Sequence, residues 1–225
     1  MKVCTDACLF GAWIVQQIEN SKLKIQNALD IGTGTGLLSL MLSQKNNHTI
    51  IDAVEIDEAA VEQAKENFEA SPWKERLKVY QGSIQKFGNS RIRQFKYDLI
   101  ICNPPFYEDD LNSEDEKRNL ALHSKRLKLE ELINSAYKLL DDTGNFFVLL
   151  PYHRTEFFLQ LKQNKFFIKE KTLIKQTPKH NYFRSMLWLT KQPAATHQSE
   201  IIIMNEDGKY TNDFIELLKD YYLHL

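Results

Sequence analysis

"NALDIGTGTGLL", residues 27–38, decides how this chain folds. A short apolar run, "NALDI", ends in three alternate glycines, Gly32, Gly34 and Gly36. A helical stretch follows over 37–44. Glycine lets the backbone turn sharply and approach a ligand closely. Strand, glycine turn and helix in succession open a βαβ unit, and open α/β sheets bind ligands beyond the carboxyl ends of their strands. A tight turn with no ligand would also accept glycines, so the flanking acids matter. Asp30 stands just before the first glycine, and Glu55 ends the next strand, nineteen residues past Gly36.

Those acids narrow the ligand. A carboxylate at Glu55 can accept both ribose hydroxyls of a nucleoside. Dinucleotide and S-adenosylmethionine sites share that device. Here the spacing is G-x-G-x-G rather than the dinucleotide G-x-G-x-x-G, and no Gly-Lys-Ser/Thr follows to make a phosphate loop. Asp30 would repel a pyrophosphate. It suits the cationic amino group of a bound amino acid, directly or through water.

Outward from the turn, strands and helices alternate. "IIDAVEID" (50–57) is a second strand, and Asp57 is placed to cap the next helix, whose Val61, Ala64 and Phe68 share one face. "LKVYQG" (77–82) and "YDLIIC" (97–102) are the third and fourth strands. Leu129, Leu132, Ile133, Ala136, Leu139 and Leu140 form a helical stripe before a fifth strand, "GNFFVLLP" (144–151). A helix over 153–163 follows, then strands near 166–175 and 183–190. The last two lack a helix between them, so they pair antiparallel. Phe214, Ile215, Leu218 and Tyr222 mark a C-terminal helix. The expected architecture is a Rossmann-like α/β fold. It has a mostly parallel seven-stranded sheet, helices on both faces and an antiparallel strand at one end. "KQPAATHQSE" (191–200) reads as a surface connection, and 108–124 as a polar loop. With no repeat and no domain-scale linker, one domain over 1–225 is expected.

Composition agrees. A chain of 225 residues with 43% hydrophobic content can bury a sizeable core. No apolar run is long enough to span a membrane, and no secretory leader opens the sequence. The three cysteines, Cys4, Cys8 and Cys102, fit reduced thiols in a cytoplasmic protein. Cys4 and Cys8 have no matching His/Cys pair, so no metal site is expected. Net charge is −1, yet residues 151–191 hold nine Lys/Arg against Glu156 and Glu170. Such a run is a solvated face or a nucleic-acid footprint.

The strand "YDLIIC" stops at "NPPF", residues 103–106. Prolines cannot continue a central strand. They stiffen a turn that presents the Asn103 amide, the Pro104 carbonyl and the Phe106 ring, with Pro105 between them. The exocyclic amine of adenine is a poor nucleophile because its lone pair is delocalised. Asn103 Oδ1 and the Pro104 carbonyl can each accept one N–H, favour a pyramidal nitrogen and stabilise the positive charge that develops. No strong general base is needed. Phe106 can stack on the base.

At this point "DIGTGTG", "VEID" and "NPPF" resemble the motifs of class I S-adenosylmethionine-dependent N-methyltransferases. The opening "MKVCTDACLFGAW", with "KYDLIICNPPFY", "RSMLWLT" and "YTNDFIELLKDYYL", resembles the bacterial tRNA1(Val) adenine-N6-methyltransferases over nearly the whole chain. The resemblance implies S-adenosylmethionine as cofactor and tRNA as partner, with methylation of adenine 37 beside the anticodon. It places Thr5, Asp30, Gly32, Gly34, Gly36, Glu55, Ile56, Ser83, Ile84 and Asn103 at the cofactor. Ser83 stands where the family often has an acid, and Cys4 and Ala7 where it usually has glycine. Trp13, Phe87 and Trp188 are read as core, and His123 as a loop residue. The competing readings are N-methylation of a release-factor glutamine, of a base in ribosomal RNA, or a non-catalytic RNA-binding module.

Overall fold

The computed structural model describes residues 4–89, 96–104, 129–162 and 164–223. Pro105, Phe106, His123 and the polar loop lie outside the described residues. Within them, one eight-stranded sheet runs through the molecule. Its strands are β1 (Asn27–Ile31), β2 (Ile50–Glu55), β3 (Leu77–Gln81), β4 (Tyr97–Cys102), β5 (Leu140–Pro151), β6 (Phe167–Lys175), β7 (Tyr182–Thr190) and β8 (His197–Ile202). Their spatial order is β3-β2-β1-β4-β5-β7-β6-β8. The first five pair in parallel, and β7 pairs antiparallel with β5 and with β6.

The expected strand count needs correction. The sheet has an eighth strand, because β8 pairs in parallel with β6 and begins inside the stretch read as a connection. Its first four residues, His197 to Glu200, carry no apolar pattern, so backbone pairing alone builds it there. The antiparallel strand, β7, stands toward one end of the sheet as expected, with β6 and β8 beyond it.

The helices are α1 (Thr5–Asn20), α2 (Leu37–Lys45), α3 (Glu58–Glu69), α4 (Ile84–Asn89), α5 (Leu129–Leu139), α6 (Thr155–Lys162) and α7 (Asn212–Leu218). α3 starts where Asp57 accepts the Ala60 N–H at 2.8 Å, and it buries Val61, Ala64 and Phe68. α1 has no separate place in the sequence reading, yet Trp13 on it is core as expected. None of the helices is long and apolar enough to cross a membrane among the described residues.

Strand alternation divides the core between the two faces of the sheet. Leu99, Ile101, Phe147, Leu149, Met186 and Trp188 join α1, α2 and α7. Ile100, Cys102, Phe146, Val148, Leu187 and Leu189 join α4, α5 and α6. On the first face Trp13 meets the edge of Phe147 at 5.5 Å, and Phe147 stacks on Trp188 at 5.2 Å. Burying side chains of this size contributes roughly 1.5–3 kcal/mol each, enough to fix α1 across the sheet.

Candidate active site

Three strand ends meet in one row. Ile31 pairs with Val54 on one side and with Cys102 on the other. The next residues along, Gly32, Glu55 and Asn103, therefore open at the same carboxyl edge. β1 and β4 are also the strands between which the chain order reverses, the crevice where open α/β sheets bind ligands.

The glycine turn is braced by its neighbours. The Gly32 and Thr33 N–H groups donate to the Val54 carbonyl at 2.8 and 3.3 Å. The Gly34 N–H donates to Glu55 Oε2 at 2.9 Å. Glu55 Oε1 accepts the N–H groups of Ile56 and Asp57 at 2.7 and 3.0 Å. The Glu55 carboxylate is thus held at the mouth, while the Ile56 side chain beside it is 44% exposed. Two of the glycines serve different ends. At Gly36 (φ +87°) a Cβ would stand 2.4 Å from Phe68 Cε1, so this position is small for packing. At Gly32 (φ +70°) a Cβ would meet nothing within 4 Å among the described residues, which leave the space beside it open.

Asp30 is fully buried. Its Oδ2 accepts the Thr33 and Ser39 hydroxyls at 2.6 and 2.7 Å. Its Oδ1 has no donor among the described residues. Burial raises the carboxyl to about 6, against the pull of those hydroxyls, and Glu55 adds repulsion. A buried oxygen without a donor costs on the order of 1–3 kcal/mol. A cation docking there would satisfy it. Sequence reasoning misses Thr33 and Ser39; their signal is one hydroxyl inside the glycine turn and one on the helix after it, three and nine residues from Asp30.

Asn103 repeats the pattern, for its Oδ1 is buried without a donor among the described residues. Alternation from Leu99 and Ile101 carries it to the α1 face. Pro104 beside it is buried. The neighbouring Cys102 thiol is pushed well up by burial, then by Asp30 and Glu55, which keeps it protonated and a poor nucleophile.

The remaining candidates lie around this edge. Ser83 Oγ accepts the Lys86 N–H at 3.3 Å and its carbonyl the Phe87 N–H at 3.0 Å, so Ser83 starts α4. Ile84 is 4% exposed and packs in the core of the α4 face. Phe87 is only partly buried, against Tyr80 at 5.3 Å. Thr5 opens α1, is exposed and lies near the Tyr222 hydroxyl. Next to it, Asp6 Oδ2 takes the Arg184 Nε–H at 2.8 Å. Arg184 faces Pro151 in the sheet register, so this pair holds the start of α1 at the carboxyl edge.

The basic stretch does not form one patch. The register Cys102–Val148–Leu187–Lys171 marks the level of the strand ends. Arg154, Lys175, Lys179 and Arg184 lie beyond it, on the side of Asn103. Lys162, Lys165, Lys169 and Lys191 lie toward the opposite edge. Several are paired: Lys171 with Glu156, Lys175 with Glu200, Lys179 with Glu206 and Lys191 with Asp142.

Comparison with known proteins gives this geometry a lineage. The methyltransferase small domain family matches residues 11–179. A tRNA1(Val) (adenine(37)-N6)-methyltransferase of Flavobacterium psychrophilum is 39% identical over 226 residues, covering 100% of this chain and 94% of that protein. One of the same name from Dyadobacter fermentans is 39% identical, covering 99% and 91%. A solved structure of a predicted O-methyltransferase from Agrobacterium tumefaciens shares the fold, with TM-score 0.67 over 86% of this chain and 88% of that one at 14% identity. A chain with its glycine turn, its Glu55 carboxylate and its Asn-Pro strand end intact, matched along nearly its whole length by such relatives, belongs to the methyltransferase small domain family and, within it, to the tRNA1(Val) (adenine(37)-N6)-methyltransferases.

Proposed function

We propose that this protein, as a single domain over residues 1–225, methylates N6 of adenine 37 in a tRNA, with S-adenosylmethionine as donor. The observation that carries the reading is the pair of buried oxygens without a donor among the described residues, Asp30 Oδ1 and Asn103 Oδ1, on either side of the β1–β4 crevice. One fits the ammonium of the cofactor's methionine end, the other the amine of the base.

The residues present fit S-adenosylmethionine. Asp30 receives the amino group. The open space at Gly32 admits close approach of the ligand, and Glu55 accepts the ribose hydroxyls. Ser83, Ile84 and Ile56 border the adenine end, and Thr5 the methionine end. When bound, this cofactor supplies an electrophilic sulfonium methyl group. Asn103 Oδ1 accepts one N–H of the substrate amine and the Pro104 carbonyl the other, which aims the nitrogen lone pair. As nitrogen becomes positive these acceptors gain strength, so they act chiefly in the transition state. The substrate for which the relatives are named supports tRNA, and the cationic side chains of Arg154, Lys175, Lys179 and Arg184 stand on the side where its backbone would pass.

The test is to incubate the protein with labelled S-adenosylmethionine and, separately, total tRNA, ribosomal RNA and release factor. The modified nucleoside or residue is then identified. N6-methyladenosine in tRNA is expected. Label in ribosomal RNA or on a glutamine, or none, would overturn the assignment.

A further inference from the structure

We infer that Tyr152, backed by Tyr182, is a stacking platform for a nucleotide flanking the methylated adenine; this rests on the RNA reading above. β5 outlasts β4. Val148 pairs with Cys102, and β5 then continues through Leu149, Leu150 and Pro151 before Tyr152. At a rise of about 3.3 Å per residue, Tyr152 begins about 10 Å beyond the level of Asn103, on the neighbouring strand. That is the reach of roughly one or two nucleotides in an opened strand.

The ring is built for contact on one face. Tyr152 is 40% exposed although it is large and partly apolar. It lies against Tyr182, with centroids 5.3 Å apart and planes at 47°. Tyr182 is fixed from several sides. Its hydroxyl donates to Glu200 Oε2 at 2.8 Å, and Lys175 Nζ sits 4.4 Å above its ring and 3.4 Å from the same carboxylate. So Tyr182 serves as a rigid backing, and Tyr152 keeps a side toward solvent. The contacts with Glu200 and Lys175 account for Tyr182, and neither accounts for an exposed ring on the turn Tyr152–Arg154. Bases stack on such rings without regard to sequence, and cations nearby hold the phosphates. Arg154 follows two residues on, and Arg184 lies across from Pro151.

The platform positions substrate; it does not touch the reacting atoms. Tyr152→Ala is therefore expected to raise the KM for an anticodon stem-loop RNA about tenfold. The turnover number at saturating RNA, cofactor affinity and melting temperature stay at wild-type values. Tyr152→Phe and Tyr152→Trp retain activity, and Tyr152→Leu, which keeps bulk without a π face, loses as much as alanine. The decisive arm uses RNAs with an abasic site on either side of the target adenine. One of them should cost wild type about tenfold and cost Tyr152→Ala nothing further, because both changes remove the same contact. Additive losses, or a raised KM for Tyr152→Phe equal to that of alanine, overturn the platform while the methyltransferase reading stands. A wild-type protein that methylates no RNA overturns both.

Discussion

Glu55 and Gly34 are joined across 21 positions, with the carboxylate Oε2 accepting the glycine N–H at 2.9 Å. The acid proposed to read the ribose therefore also shapes the turn that admits the cofactor. Its other oxygen accepts two further backbone N–H groups at the start of α3. Removing the side chain disturbs both the ligand contact and the turn.

Glu55→Ala is expected to weaken S-adenosylmethionine binding by about 1.5–3 kcal/mol, the scale of hydrogen bonds to a charged group. Glu55→Gln keeps an acceptor oxygen and should lose less. In wild type the cofactor raises the melting temperature by mass action on the native state, and NAD does not. Calorimetry showing NAD bound as tightly as S-adenosylmethionine would sink the cofactor assignment.

Asp30 makes the apoprotein pH-dependent. Its folded value of about 6 lies above its ordinary 3.8. Between those values the folded state holds the extra proton. This group's stabilising contribution is therefore full below about pH 4 and lost as pH rises through about 6. Asp30→Asn should stabilise the apoprotein at pH 7.5 by on the order of 1–3 kcal/mol and leave it unchanged near pH 4. Cofactor binding has the opposite trend, because an ammonium needs the ionised carboxylate. Affinity should fall as pH drops through 6 in wild type and stay flat in Asp30→Asn. Denaturant melts and calorimetry across pH 4–8 check both signs.

Gly36→Ala and Gly32→Ala should separate folding from binding. Both positions have positive φ, which costs an alanine roughly 1–2 kcal/mol. Only Gly36 adds a clash with the Phe68 ring. The apoprotein melting temperature should fall well below that of Gly32→Ala, and Phe68→Leu should restore part of it. Gly32→Ala should keep most of its stability and lose cofactor affinity. Equal melting temperatures for the two variants would refute the division.

The middle of the parallel half was legible because β1, β2 and β4 are mainly apolar runs closed by a chemical punctuation mark, glycine after Ile31, the Glu55 acid, Asn103 after Cys102. β8 was hidden because its amino-terminal residues are polar and its backbone pairs only with β6 among the described residues. α1 was hidden because its residues 7–15 are all buried, so no amphipathic stripe announces it. Local motifs could place Asp30 and Asn103. They could not reveal that both carry a buried oxygen without a donor among the described residues, or that Asp6 would meet Arg184 from 178 residues away. Those facts arise from register and packing.

Charge at the two edges of the sheet should have different consequences. Arg154→Glu with Lys179→Glu, on the carboxyl edge, should raise the RNA KM and flatten its salt dependence. Lys165→Glu with Lys169→Glu, toward the amino edge, should change neither. Cofactor affinity should be constant throughout. Identical salt slopes for wild type and the first pair would place the phosphate contacts elsewhere.

Asn103 is expected to act in the transition state rather than in binding. Its Oδ1 is buried, without a donor among the described residues, and one residue beyond the row that aligns Ile31 with Cys102. An acceptor aimed at the amine gains most as nitrogen turns positive, so its loss falls on the rate of methyl transfer. Asn103→Ala should lower the turnover number about a hundredfold or more, the scale of losing one preorganised polar group. RNA and cofactor should still bind, with dissociation constants close to wild type. Asn103→Asp keeps an acceptor oxygen and places a negative charge near the sulfonium, so it should retain part of the activity. The structural alternative is that Asn103 merely ends β4; in that case alanine would lower the melting temperature and spare the rate. Single-turnover measurements at saturating RNA separate the two. An Asn103→Ala protein that binds both substrates and methylates at the wild-type rate would remove Asn103 from the chemistry.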